Sequence, residues 1–242
     1  IMGTKGGPNI VLDGLVGAID AGSLDRNDLF QVSDDFKFRL MMGSPSQFCF
    51  INDATTISTE SPFELGFGAD RNTYTQIPIA DGTFPTDNGP FDFSAGDGYS
   101  VNVWVMRTGF GTWQSGDTNY DGIWNYYWNH YLAFSGNHTG QNYVWGTGLS
   151  NYAIDMDEWY SYTTTHDNNS ATNNHKVYVN GSLQQTSTVG VAGSARRFYI
   201  GNFDSSWAMV GKFGCIRIYN RALTADEVSQ NFNTNKSRFI PN

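Results

Sequence analysis

Basic residues are scarce in this chain: 14 Lys and Arg stand against 23 Asp and Glu, for a formal charge of −9 and a pI near 4.7. So acidic a chain has no general positive field with which to hold nucleic acid or an anionic membrane. Cysteine is rarer still. Cys49 and Cys215 are too few for a disulfide framework and read as two buried reduced thiols on strands, a bond across the fold being the alternative. Long apolar runs are also missing. The apolar opening, Asn9 to Ala21, is interrupted by Asp13 and Asp20, so it reads as neither a membrane span nor a secretory signal. Helix-favouring runs are nearly absent, which leaves strands as the main building material.

What is abundant points the same way. Aromatics make up 15% of the chain and glycines number 27, the composition of many strands joined by tight turns. The 242 residues read as a glycine-rich arm over residues 1–8 and a single all-β domain over residues 9–242. The clearest organisation lies late in the chain. His175-Lys176-Val177-Tyr178-Val179 alternates and runs into Asn180-Gly181, whose tolerance of φ > 0 suits a type I′ hairpin turn. Ala195 to Asn202 and Lys212 to Asn220 alternate too, the second placing Ile216 and Ile218 on one face and Cys215, Arg217 and Tyr219 on the other. Thr224-Ala225-Asp226-Glu227 is a capping box, with Val228 and Phe232 on the apolar side of a short helix. Earlier, Gly98 to Arg107 alternates, so that Tyr99, Val101, Val103 and Val105 face a core while Ser100, Asn102 and Trp104 face away. Gln47 to Asn52 and Thr73 to Ile79 are further strand candidates in a turn-rich first half.

The order of a tryptophan strand (Glu158-Trp159-Tyr160), the Val177 to Gly181 hairpin, Ile200-Gly201, and F-x-G-x-I-R-I-Y-N-R-A-L-T-x-x-E-V from Phe213 to Val228 resembles the concanavalin A-like lectin/glucanase superfamily. Its laminin-G-like and pentraxin-like branch is nearest. The resemblance implies a two-sheet antiparallel jelly-roll sandwich with a short C-terminal helix, in which Gly98 to Arg107 lies in the inner sheet with its second face lining a concave groove. The opening G-P-N-I-V-x-D-G-L-V-x-x-x-D-A is similar to the start of laminin-G-like domains in virion structural proteins of tailed phages; its plain alternative is a first edge strand. Where that family carries an Asn- and Gly-rich segment, Leu24 to Ser46 is charged and apolar.

Gly109 to Trp145 holds the most unusual composition. Trp113, Tyr120, Trp124, Tyr126, Tyr127, Trp128, His130, Tyr131, Tyr143 and Trp145 crowd a stretch with almost no Lys or Arg. Aromatic rings stack on the apolar faces of sugars while Asn, Asp and His meet the hydroxyls. Trp113, Tyr120, Trp124, Tyr126, Trp128 and His130 are therefore candidate carbohydrate-binding residues, the alternative being that these rings fill a core or a subunit interface. Within the same stretch Asp117, Asn119 and Asp121, followed by Gly122, match the first half of a calcium loop. The second half fails, because its twelfth position falls on Trp128 where a bidentate Glu is needed; an Asx-turn loop is the other reading.

Catalytic patterns are not found. Retaining glucanases of the resembled superfamily need E-x-D-x-x-E or E-x-D-x-E, and the nearest match, Ala153-Ile154-Asp155-Met156-Asp157-Glu158, has Ala153 at the nucleophile position. His130, His138, His166 and His175 show no metal-ligand spacing, and His166 to Asn174 reads as an exposed polar loop. The resemblance and the missing nucleophile together imply a non-enzymatic, lectin-like virion structural protein of a tailed phage, a capsid decoration or a tail or fibre component on the virion surface. Its expected partners are other virion proteins and host surface polysaccharide, with homo-oligomers supplying avidity and calcium as the expected cofactor. A secreted or cell-surface carbohydrate-binding module is the alternative, and a glycoside hydrolase the third reading.

Overall fold

Alternating apolar and polar residues become strands along most of the chain. A computed structural model describes residues 10–20, 29–32, 35–39, 48–51, 56–57, 65–67, 75–78, 96–110, 114–115, 118–127, 130–136, 142–191, 197–201 and 209–240. The arm over residues 1–8 lies outside the described residues, and the side chain of Cys49 is not described. In chain order the strands are β1 (Leu15–Asp20), β2 (Leu29–Val32), β3 (Asp35–Arg39), β4 (Phe48–Ile51), β5 (Thr56–Ile57), β6 (Leu65–Phe67) and β7 (Thr75–Pro78). Then follow β8 (Gly98–Arg107), β9 (Gln114–Ser115), β10 (Thr118–Tyr127), β11 (His130–Gly136), β12 (Asn142–Gly146) and β13 (Leu149–Ala153). The last third carries β14 (Trp159–Asp167), β15 (His175–Val179), β16 (Ser182–Ser187), β17 (Arg197–Ile200), β18 (Gly211–Tyr219) and the helix α1 (Ala225–Phe239).

These strands form two antiparallel sheets. The first runs β16-β15-β14-β8-β18-β6-β5, with β1 also paired to β18; the second runs β13-β12-β11-β10-β17-β7-β4-β3-β2, with β9 on β10. One apolar cluster draws on both. Tyr99, Val101, Val103, Val105, Tyr162, Val177, Val179, Ile216 and Ile218 come from the first sheet, and Ile123, Trp124, Tyr126, Leu132, Phe134 and Val144 from the second. The period of two in β8, β15 and β18 thus puts one face of each strand into the sandwich core. The hairpin expected at Asn180-Gly181 closes β15 onto β16, with φ of 49° and 76° at the two turn residues.

The other face of the first sheet is not a groove. α1 lies across it, starting at the Thr224–Glu227 capping box, and Trp104 stacks on Phe232 and Phe239 with ring centroids 5.5 and 4.7 Å apart. Trp104 is fully buried there beside Cys215 and Trp159. An apolar stripe on a helix and an apolar residue on a sheet's outer face satisfy each other, which corrects the expectation that the second face of Gly98 to Arg107 lines an open concavity. The helix also holds the start of the domain: Asn231 accepts from the Val11 amide, and Tyr219 Oη donates to the Val11 carbonyl. Among the described residues, no helix is long and apolar enough to cross a membrane.

Candidate functional site

The aromatic stretch divides by strand parity. Trp124 and Tyr126 turn inward from β10 and are buried in the sandwich core, as is His130 at the start of β11. A bulge between Gly122 and Trp124 lets Ile123 and Trp124 both reach that core. Rings so enclosed have no face for a sugar, so these three positions are corrected from surface platform to interior. Trp113 and Trp128 lie outside the described residues, and Tyr120 is described only as a strand position. The outward face of β11 and β12 is different. Tyr131, Tyr143 and Trp145 are half-buried, and Tyr131 meets Trp145 edge-on with centroids 5.2 Å apart. Asn125 stands opposite Tyr131 in the β10–β11 register but is buried, so its amide is not part of the accessible face.

One of the proposed calcium ligands, Asp121, meets another cation. Residues 118–127 form a strand and not a wrapping loop, and Asp121 points inward, where its carboxylate accepts from Arg107 at 2.5 Å. Both side chains are fully buried. The guanidinium also donates to Asn142 Oδ1 at 2.5 Å and to the carbonyls of Ser135 and Gly109, and it lies over the Phe110 ring. Burial lowers the Arg107 pKa while Asp121 pulls it back up. Asp121 is thus committed to a tie between the sheets, and Asp117 and the Asn119 side chain lie outside the described residues. The glucanase-like stretch is a surface turn: Asp155 and Glu158 are exposed, and the Asp155 amide donates to Tyr160 Oη.

Chain order conceals a third locus. Tyr99, His166 and His175 are directly opposite one another across β8, β14 and β15, on the inward face, and His130 approaches them from the second sheet. All four side chains are fully buried, so the segment from His166 to Asn174 is exposed only in its middle, contrary to its reading as a loop exposed throughout. His130 is 5.3 Å from His166 and 6.1 Å from His175 between ring centroids, and one nitrogen from each ring lies within 4.8 Å of the others. His166 Nδ1 and His175 Nδ1 are 3.3 Å apart. His130 Nε2 donates to the Gly190 carbonyl at 3.2 Å, which leaves Nδ1 to accept from Tyr99 Oη at 2.5 Å. The Tyr99 ring stacks on His166.

Electrostatics keep these rings neutral. Burial first, then the His166 ring, lowers His130 to about 4 against the Gly190 contact. Burial, with His166 and His130 beside it, lowers His175 to about 3 against a weak pull from the Thr147 backbone. His166 is lowered by burial, with Asp167 and Asn168 opposing. The spacing of these histidines hid the cluster: His130 is 36 positions from His166, on the other sheet. The available signal was parity, since His175 shares the face of Val177 and Val179.

An all-β sandwich of two antiparallel sheets, capped by one helix and tied internally by polar clusters, defines a jelly-roll of lectin type. A laminin-G family model, described as the concanavalin A-like lectin/glucanases superfamily, matches residues 70–229, and the chain belongs to that family. No curated protein matches it in sequence. Among solved structures it is similar to Trypanosoma rangeli sialidase, with a TM-score of 0.60 and 13% identity over 95% of this chain and 34% of that one. It is also similar to the botulinum neurotoxin type G receptor-binding domain, with a TM-score of 0.52 and 16% identity over 80% of this chain and 48% of that one. Domain 4 of an extracellular arabinanase from Geobacillus stearothermophilus, in complex with arabinotriose, gives 0.49 and 16% over 90% and 97%. The chain spans about a third of the sialidase chains it resembles.

Proposed function

We propose that this chain is a non-enzymatic, lectin-like module that serves as a structural component of a tailed-phage virion, in capsid decoration or in a tail or fibre, and engages host surface glycans. The observation that carries the recognition role is the outward face of β11 and β12. Tyr131, Tyr143 and Trp145 present partly exposed rings there, with half-buried Ser135 opposite Tyr143 in the β11–β12 register. Such a surface suits the apolar face of a pyranose with polar groups at its edge. The virion setting is supported by the likeness of Asn9 to Ala21 to the openings of phage structural domains. Non-enzymatic action is supported by Ala153 at the nucleophile position and by the exposed placement of Asp155 and Glu158.

A single platform of this size binds weakly, so function rests on repetition through a homo-oligomer or a particle-bound array. A glycan array probed with multimerised, folded protein tests recognition: binding to a defined set of polysaccharides is expected, and a blank array refutes it. Mass spectrometry of purified particles tests the setting, which falls if the protein is absent. The likeness to part of a sialidase chain favours a second reading, a carbohydrate-binding module within a larger secreted protein. Glycan binding without particle association selects it.

A further inference from the structure

Three neutral imidazoles packed against one another are poorly satisfied by hydrogen bonds alone. Each ring has one N–H and one lone pair, and the His166–His175 contact uses only one of each pair. That contact runs Nδ1 to Nδ1 between two fully buried rings, so one of the two nitrogens must act as donor to the other's lone pair. The spacing itself suggests what is missing. Tetrahedral zinc with Zn–N bonds of about 2.0–2.1 Å sets its nitrogen ligands roughly 3.3–3.4 Å apart, and the two Nδ1 atoms are 3.3 Å apart.

We propose that His130, His166 and His175 bind one divalent transition metal of the zinc class, with the Tyr99 hydroxyl as the oxygen donor at the same centre. Three neutral nitrogens and a phenol select a borderline metal such as zinc, cobalt, nickel or copper, while calcium and magnesium demand oxygen ligands. Outward-facing N–H groups fit this arrangement, since a ligating imidazole generally donates its other nitrogen's proton to a backbone carbonyl; His130 Nε2 already addresses Gly190. The turn between β12 and β13 is shaped to the cluster. Gly148, with φ of 71°, lies so near that a Cβ there would come within 2.4 Å of both His175 Cδ2 and Ser187 Oγ. Buried on all sides, the centre has the closed character of a structural site. It would clip β11 of one sheet to β14 and β15 of the other. The clip is independent of the aromatic face, so neither reading stands or falls with the other.

The experiment uses untagged, full-length protein stripped with a chelator and titrated with Co²⁺, then with Zn²⁺. One Co²⁺ per chain with the visible d–d absorption of a tetrahedral centre is expected, displaced by one Zn²⁺, together with a rise in Tm that chelator reverses and that Ca²⁺ does not reproduce. Replacing His166 or His175 with Ala should weaken Zn²⁺ binding by more than about a hundredfold, and Tyr99→Phe by about ten- to a hundredfold. His138→Ala should leave it unchanged. Because the wild-type spectrum needs no variant to fold, absence of stoichiometric Co²⁺ or Zn²⁺ binding by folded wild-type protein overturns the proposal. So does binding that survives in folded His166→Ala and His175→Ala.

Discussion

At the scale of single residues, the largest energies sit where charges are buried. Arg107 and Asp121 gain their mutual attraction only by losing water, and removing one partner strands the other. Asp121→Ala should therefore cost about 3–5 kcal/mol in urea denaturation, and pairing it with Arg107→Met should restore part of that loss. A double variant as unstable as the sum of its singles would show that the ion pair is not coupled as described. Arg221 and Glu227 make a contrasting, surface pair. Two hydrogen bonds of 2.9 and 2.6 Å from Arg221, aided by the Thr224 cap, lower Glu227 to about 2. A carboxylate so lowered contributes stability that is complete above its unfolded value of about 4.5 and is lost as pH falls toward 2. Melting temperature followed from pH 6 to pH 2 should fall more steeply for the wild type than for Glu227→Gln. Equal slopes would mean the pair contributes nothing measurable, as exposed pairs often do.

At the scale of elements, legibility followed parity and punctuation. The Asn180-Gly181 turn, the inward rows of β8, β15 and β18, and the capping box were all readable because each depends on neighbours in sequence. What was not readable depends on where an element lands. Trp104 lies on the outward face as its parity requires, yet whether that face meets water or a helix is decided by α1, more than a hundred residues later. Asp121 carries the letters of a calcium loop, but residues 118–122 are held as strand because β9 pairs with Thr118 and Asn119 and β11 pairs from Asn119 onward. The helix is the element whose loss is easiest to follow. Phe239 packs on both Trp104 and Trp159, so Phe239→Ala should cost about 3–5 kcal/mol and shift tryptophan emission to the red as water reaches those rings. Thr224→Ala removes only the cap, and should cost about 1 kcal/mol with emission unchanged in the folded state. An unshifted spectrum in folded Phe239→Ala would mean that the helix does not shield the sheet.

At the scale of the whole molecule, the sandwich separates the residues that hold it together from those it can offer to a partner. Its interior is tied by Arg107–Asp121 where β8 ends and by the histidine cluster where β8 begins, with the shared apolar core between. That division decides how the tryptophans of one short stretch should respond to the same substitution. Trp124 is fully enclosed by that core, so Trp124→Ala removes a large buried side chain and should cost about 3–5 kcal/mol, lowering Tm sharply and abolishing any binding only through loss of fold. Trp145 sits on the outward face, partly exposed against Tyr131. Trp145→Ala should lower Tm less than Trp124→Ala, because the ring is only partly enclosed, while removing the ring on which a sugar would stack. Circular dichroism melts and glycan binding by multimerised protein, measured on the same preparations, separate the two effects. A folded Trp145→Ala protein that retains wild-type glycan binding would exclude this face as the recognition surface and move the search to the aromatic residues of the stretch outside the described segments.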